Sequence, residues 1–182
     1  MTKTVALCLW TVFSQVACAM GGEDVPPVGP PGPVGLLDAA STFDPVRQRV
    51  VVQGGLDPDG TNVRSATWEY DGERWILTDP IGPGPRRLGA MAFFPELGEV
   101  VLYGGIDAES NSASCGQTWL YNGARWRQLD VEGPGCRRGH GLSYDPASKR
   151  LLLFGGSIDC ADGACQVLWT FNGTEWAPLS PP

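Results

Sequence analysis

Histidine is scarce in this chain, and basic clusters and catalytic motifs are missing. One histidine in 182 residues excludes any metal or catalytic site that needs several imidazole groups. Outside two arginine pairs there is no block of Lys or Arg, and the formal net charge is -7, so neither nucleic acid nor an anionic lipid surface is an expected partner. No G-x-S-x-G, H-E-x-x-H or phosphate-loop pattern occurs. These absences favour a binding protein over an enzyme and predict no cofactor and no metal.

The first nineteen residues have the layout of a signal peptide. Lys3 precedes an apolar run from Val5 to Val16, and Ala17-Cys18-Ala19 supplies small residues for cleavage. The same region resembles a bacterial lipobox in which Cys18 would be acylated, although Gln15 departs from that pattern. No later apolar run reaches the ~18 residues of a membrane helix. We therefore expect an extracytoplasmic bacterial protein, either secreted or held at the cell surface by a lipid anchor on Cys18.

Glycine and proline, by contrast, are abundant. The 25 Gly and 16 Pro suit many short strands joined by tight turns, which predicts an all-β class. Residues 20–35 read MGGEDVPPVGPPGPVG, and so much Pro and Gly prevents helix or sheet hydrogen bonding. This stretch is predicted to be a linker between the signal peptide and a folded domain.

A period of about 50 residues runs through the rest of the chain. Gly-Gly pairs recur at steps of 50 and 51 residues, and two series of tryptophans recur at steps of 51 and 50, with Asp-Gly or Asn-Gly between them. The recurring residues are Gly54, Gly55, Gly104, Gly105, Gly155, Gly156, Trp68, Trp75, Trp119, Trp126, Trp169 and Trp176. Residues 36–180 thus divide into three repeats, at about 36–80, 81–131 and 132–180.

Each repeat is expected to form four antiparallel strands. Apolar runs at 49–53, 99–103 and 150–154 stop at Gly-Gly, as buried central strands do, and another extended segment precedes each of them. Asp-Gly or Asn-Gly predicts a two-residue type I′ hairpin, which would pair Trp68 with Trp75 and likewise the tryptophans of the other repeats. A four-stranded antiparallel unit of this period is typical of a propeller blade.

These features together resemble the kelch repeat in its bacterial form. The family's Arg-x-x-His start is present as residues 137–140 in the third repeat, the second repeat keeps only its Arg, and the first repeat has neither. The resemblance implies kelch-type β-propeller blades that present loops to a protein or glycan ligand. One alternative is part of a carbohydrate-active propeller enzyme, and another is a nonfunctional fragment of a longer kelch protein.

Three blades are fewer than the ~4–8 of known propellers. The chain would then be half of a six-bladed ring formed by a homodimer, part of a longer propeller, or an open arc with exposed edges.

The residues at the start of each blade are the candidate ligand-binding groups. Arg86, Arg87, Arg137, Arg138 and His140 fall where an innermost strand begins, near the face that propellers commonly use for ligands. They could line a pocket for an anion or a sugar. The competing interpretation is that they brace neighbouring blades through hydrogen bonds to backbone carbonyls.

Four cysteines remain once Cys8 and Cys18 are assigned to the N-terminal segment, and an even number in an exported protein predicts disulfides. All four fall in predicted loops. Among the three connectivities we favour Cys115 with Cys136 and Cys160 with Cys165. A zinc site is the alternative, but Cys-x4-Cys without a nearby His fits the usual ligand spacing poorly.

Overall fold

The computed structural model describes residues 32–106, 115–157 and 167–179. In these ranges the chain forms twelve β-strands, and there is no helix that is long and apolar enough to span a membrane. The predicted signal peptide, most of the linker, Cys18, Cys160 and Cys165 lie outside the described residues.

The strands form three consecutive four-stranded sheets, one for each sequence repeat. Blade 1 consists of β1 (Ala40–Asp44), β2 (Arg49–Gln53), β3 (Thr67–Tyr70) and β4 (Trp75–Asp79). Blade 2 consists of β5 (Ala90–Phe94), β6 (Glu99–Tyr103), β7 (Thr118–Tyr121) and β8 (Trp126–Leu129). Blade 3 consists of β9 (Arg138–Asp145), β10 (Arg150–Ser157), β11 (Leu168–Phe171) and β12 (Trp176–Leu179). Neighbouring strands in each blade are consecutive and antiparallel, which confirms the predicted all-β architecture of three four-stranded blades.

The blades stack through their faces, and the middle blade is buried on both sides. Its innermost strand β5 packs against both β1 and β9. Alternate side chains of a strand point to opposite faces. Val100 and Leu102 therefore face blade 1 and form one core with Val51, whereas Val101 and Tyr103 face blade 3 and form a second core with Leu153.

The hairpin between the third and fourth strands differs from its predicted form. Tyr70 pairs with Trp75 and Trp68 pairs with Leu77, so the two tryptophans are not opposite each other. The turn is centred one residue later than Asp71-Gly72, because Asp71 does not adopt the positive φ that a type I′ turn requires there. Instead the Asp71 carboxylate accepts hydrogen bonds from the amides of Glu73 and Arg74, at 2.9 and 2.8 Å.

The same correction holds in the other two blades. Tyr121 pairs with Trp126 and Phe171 pairs with Trp176, and in each pair the ring centroids are 4.9 Å apart. The tryptophan that begins each fourth strand therefore packs on an aromatic ring from the end of the third strand. This contact replaces the predicted tryptophan pair as the recurring aromatic unit.

Two of these tryptophans also connect neighbouring blades. The Trp126 indole N–H donates to Thr67 Oγ1 at 2.8 Å, and the Trp176 indole N–H donates to Thr118 Oγ1 at 3.0 Å. In both cases the threonine lies on the preceding blade. The sequence carries a signal for this contact, because Thr-Trp recurs at 67–68 and 118–119, although sequence reasoning did not use it.

Candidate functional site

The candidate arginines lie on the side of the blades that also carries the loops after Gly-Gly. Leu37 forms a two-way backbone bridge with Leu56, with N–O distances of 2.8 and 2.7 Å. One blade further on, Arg87 forms the same bridge with Ile106, at 2.8 and 2.9 Å. Each bridge ties the segment that leads into an innermost strand to the start of a loop between second and third strands. We call this side of the molecule the loop face.

A series of backbone hydrogen bonds crosses the loop face from blade to blade. The amide of Leu88 donates to the Asp38 carbonyl at 2.9 Å, and the amide of Gly139 donates to the Leu88 carbonyl at 2.8 Å. These three residues hold equivalent positions and all adopt a positive φ, of 56°, 61° and 63° in chain order. The starts of the three innermost strands are thereby held side by side.

Arg86, the first arginine of its pair, is a structural brace. It is 2% exposed, and its guanidinium donates to the carbonyls of Gly104 at 3.0 Å and Pro83 at 2.5 Å. It also donates to Gln117 Oε1 at 3.1 Å and lies over the Trp119 ring. A buried guanidinium in such a bonded setting stabilises the blade and cannot contact a ligand without unfolding its surroundings.

Arg137 repeats this arrangement in blade 3. It is 1% exposed and donates to the carbonyls of Gly155 at 2.9 Å and Pro134 at 3.1 Å. Burial lowers the pKa of the Arg137 guanidinium from its ordinary value. The first arginine of both pairs therefore donates to backbone carbonyls, as the bracing interpretation expected, but these carbonyls belong to the arginine's own repeat and not to a neighbouring one.

The second arginine of each pair has a different environment. Arg87 is partly exposed and lies 3.4 Å from the Asp38 carboxylate. Arg138 is half-buried and makes no side-chain hydrogen bond or ion pair within the part of the chain that the structure describes. The two side chains belong to equivalent positions of adjacent blades and both are partly exposed, although Arg87 is already engaged in its ion pair with Asp38.

His140 belongs to the interior between blades 2 and 3. It is 7% exposed, its ring meets the Tyr103 ring edge-on at 5.6 Å, and neither ring nitrogen has a hydrogen-bond partner among the described residues. Burial, followed by the charge of Arg137, lowers the pKa of His140 to about 4. The imidazole is therefore neutral at neutral pH and is not placed to contact a ligand on the surface.

This burial predicts a pH dependence of stability. An unfolded histidine titrates near 6.5, whereas native His140 titrates near pH 4, so between these values only the unfolded chain binds the proton. The free energy of unfolding should therefore fall as pH drops from 6.5 towards 4, by about 1.4 kcal/mol per pH unit and about 3 kcal/mol in total. Above pH 6.5 this group contributes no dependence.

Urea unfolding of the parent chain and of the His140→Asn variant at pH 7, 6, 5 and 4.5 measures the effect. The variant should lose this part of the slope while keeping the part due to carboxylates. Equal slopes in the two proteins would show that native His140 takes up its proton at an ordinary pH.

The predicted disulfide between Cys115 and Cys136 is present. It joins the end of the loop before β7 to the segment that leads into β9, and so connects blade 2 to blade 3 on the loop face. Cys115 is 1% exposed and its carbonyl accepts a hydrogen bond from the Arg137 amide at 2.9 Å. The bond therefore holds the backbone of Arg137 in place. Cys160 and Cys165 lie outside the described residues, so their pairing stays a prediction.

The fold and the loop face define an all-β protein of three propeller-like blades whose loops and interblade connections meet on one side. Among solved structures the chain is similar to one described as the structure of YjhT, with a TM-score of 0.62 and 18% sequence identity. The match covers 85% of this chain and 54% of that one, so the chain spans about half the length of that protein. At this identity the likeness shows the fold alone. No protein-family model and no curated protein matches the chain.

Proposed function

We propose that this chain is an exported kelch-type binding module that holds a protein or glycan ligand at its loop face. One observation carries the proposal: each arginine pair divides into a buried brace and a partly exposed neighbour. The guanidinium groups of Arg86 and Arg137 donate to backbone carbonyls in the interior, whereas Arg87 and Arg138, at equivalent positions of adjacent blades, are partly exposed. Arginine recognises carboxylate, sulfate and phosphate groups through paired N–H donors, so a ligand with anionic groups is favoured.

The rigidity of the surroundings supports a binding role. Arg87 is fixed through its backbone bridge to Ile106, and Arg138 begins strand β9 directly after the disulfide-anchored Arg137. Because this backbone is already ordered, binding carries no cost for ordering a loop, and only the arginine side chains themselves lose conformational entropy. The net charge of -7 makes a local pair of arginines a distinct feature of the surface.

The experiment is retention on an array of neutral oligosaccharides, uronate-containing oligosaccharides and aspartate-rich peptides, with mass spectrometry of the recovered probes. The parent chain should retain an anionic probe unchanged. In the Arg87→Gln, Arg138→Gln double variant the retention should fall at least tenfold. The sugar and peptide arms of the array distinguish the two ligand classes.

The matched control is the Arg74→Gln, Arg127→Gln double variant, which removes the same charge from exposed arginines of outer strands and turns. It should bind as the parent does. An equal loss of retention in both double variants would show that binding depends on the net charge of the protein and not on Arg87 and Arg138. Cleaved sugar probes would favour the alternative of a carbohydrate-active enzyme, and a chain that does not fold would favour a nonfunctional fragment.

A further inference from the structure

Blade 1 and blade 3 each have one broad face that no other blade covers within the described residues. On blade 1 this face, which we call the N-terminal face, is largely apolar and carries the side chains of Phe43, Val50, Val52, Trp68, Tyr70, Trp75 and Leu77. Phe43 is 50% exposed and Leu77 is 47% exposed. Gly32 contacts the Trp75 ring, so the segment before β1 shields only part of this face.

The N-terminal face is equivalent to the faces of blades 2 and 3 that the preceding blade buries. Stepping through the repeats, Tyr70 corresponds to Tyr121 and Phe171, and both of these are fully buried. Trp75 corresponds to Trp126 and Trp176, which are 9% and 7% exposed. Blade 1 thus carries the side chains of a buried junction, and within the described residues no preceding blade covers them.

The outward face of blade 3, which we call the C-terminal face, is equivalent to the face of blade 1 that blade 2 covers. Its side chains include Asp145, Arg150, Leu152, Thr170 and Leu179, which line a concavity of about 460 Å³, and Phe154 lies on the same face. Three of these residues occupy positions equivalent to residues on the face of blade 1 that blade 2 covers. Asp145, Arg150 and Leu152 correspond to Asp44, Arg49 and Val51 of blade 1. In blade 1 that Val51 is fully buried by its neighbour.

The first glycine of each Gly-Gly pair gives further evidence that the C-terminal face is an uncovered junction. A Cβ on Gly54 would collide with the Arg86 carbonyl of the next blade, and one on Gly104 would collide with the Arg137 carbonyl. Gly155 keeps the same conformation, with φ of +74°, but a Cβ there would meet nothing within 4 Å among the described residues. At Gly54 and Gly104 the backbone of the following blade fills this space, whereas at Gly155 the same space is open in the described part of the chain.

A polar contact of the two internal junctions is replaced by apolar groups at the open ends. Gln53 donates to the Gly84 carbonyl of the next blade at 3.3 Å, and Tyr103 donates to the Gly135 carbonyl at 2.7 Å. The residue equivalent to Gln53 and Tyr103 in blade 3 is Phe154, which is 56% exposed. The residue equivalent to Gly84 before blade 1 is Val34, which is 75% exposed. An apolar contact between the two ends would remove both side chains from water.

We propose that a second copy of this chain covers both open faces, with blade 1 of each copy stacked on blade 3 of the other. Two copies of three blades make six, which lies within the ~4–8 blades of closed propellers. The arrangement has twofold symmetry, because the N-terminal face of each copy meets the C-terminal face of its partner and the reverse. A second copy is the natural occupant, since one chain carries both halves of the junction.

Light scattering after size exclusion, on the purified full chain, tests the proposal directly. The expected result is the mass of two chains across a hundredfold dilution. Two variants place a charge on exposed residues of the open faces: Phe43→Asp on the N-terminal face and Phe154→Asp on the C-terminal face. Each should raise the dimer dissociation constant at least 100-fold, while circular dichroism stays that of the parent.

The control is Val46→Asp, which introduces the same charge at a 72% exposed residue of the turn between β1 and β2, away from both open faces. It should leave the dimer intact. Mixing Phe43→Asp with Phe154→Asp should restore a dimer of mixed composition, because one of its two junctions is then unaltered on both sides.

Three outcomes overturn the proposal. A parent chain that stays monomeric at high concentration would assign the open faces to a different partner or to further blades. A dimer broken by Phe43→Asp but not by Phe154→Asp would show pairing between two N-terminal faces. A dimer indifferent to both would place its interface elsewhere.

Discussion

Replacing Gly104 with alanine is expected to destabilise the chain by about 3 kcal/mol or more and to lower its melting temperature by roughly 10 °C. Gly104 has φ of +65°, which an L residue adopts only at a cost of ~1–2 kcal/mol. The added Cβ would also lie 2.5 Å from the Arg137 carbonyl oxygen, 2.9 Å from the His140 ring and 3.0 Å from the Cys115 carbonyl oxygen. Two of these neighbours are backbone atoms tied down by the disulfide between Cys115 and Cys136, so they cannot move away cheaply. Thermal unfolding measures the effect.

Gly98 provides a matched control. It has the same φ of +65°, but a Cβ there meets nothing within 4 Å in the part of the chain that the structure describes. Gly98→Ala should therefore show the backbone cost alone, about 1 kcal/mol. If both variants lost equal stability, the close approach of blades 2 and 3 at Gly104 would not be a tight contact in solution.

Replacing Arg86 with methionine is expected to destabilise the chain by about 3 kcal/mol. Methionine keeps much of the side-chain volume but donates no hydrogen bond, so the buried carbonyls of Gly104 and Pro83 lose the donors that now satisfy them. Because Arg86 also joins Gln117 and Trp119, the loss should loosen the interior of blade 2 as a unit. Urea denaturation of the parent and the variant gives the difference.

The adjacent arginine is the control for this change. Arg87→Met removes a partly exposed ion pair with Asp38, and such pairs contribute between 0 and about 1 kcal/mol. It should alter stability by less than about 1 kcal/mol. Comparable losses at the two positions would contradict the division of the pair into a buried brace and a surface group.

Most of the strand arrangement was readable from the repeat. Short apolar runs before Gly-Gly predict β2, β6 and β10, since a buried strand needs apolar residues on both faces. The predicted end at Gly-Gly holds for β2 and β6, whereas β10 continues through Gly155 and Gly156 to Ser157. The hairpin register was predicted wrongly because Asp-Gly is compatible with two turn positions that differ by one residue. The Asp71 side chain decides between them by bonding the amides of Glu73 and Arg74, a contact that a dipeptide preference does not contain.

The candidate site was only partly predictable. Sequence alone places the arginine pairs at the start of two blades, but both members of a pair have the same chemistry. In both pairs the structure buries the first arginine, Arg86 or Arg137, among carbonyls that lie elsewhere in its repeat. The hydrogen bonds of Thr67 and Thr118 to tryptophans of the next blade were also missed. Their partners lie 59 and 58 residues away in sequence, so no local pattern indicates them.

By itself the sequence determined the period, the number of blades and the all-β class, and it limited the pairing of the four loop cysteines to three connectivities. These follow from local chemistry: short apolar runs, glycine at turns and an even number of cysteines in loops. Only the tertiary structure decided which arginines are buried, which turn each hairpin adopts and which two faces are left uncovered. Those properties depend on contacts with residues that are distant in sequence, such as a carbonyl, an aromatic ring or the face of a neighbouring blade. The pattern within one repeat does not specify these partners, because they are brought together only when the chain packs.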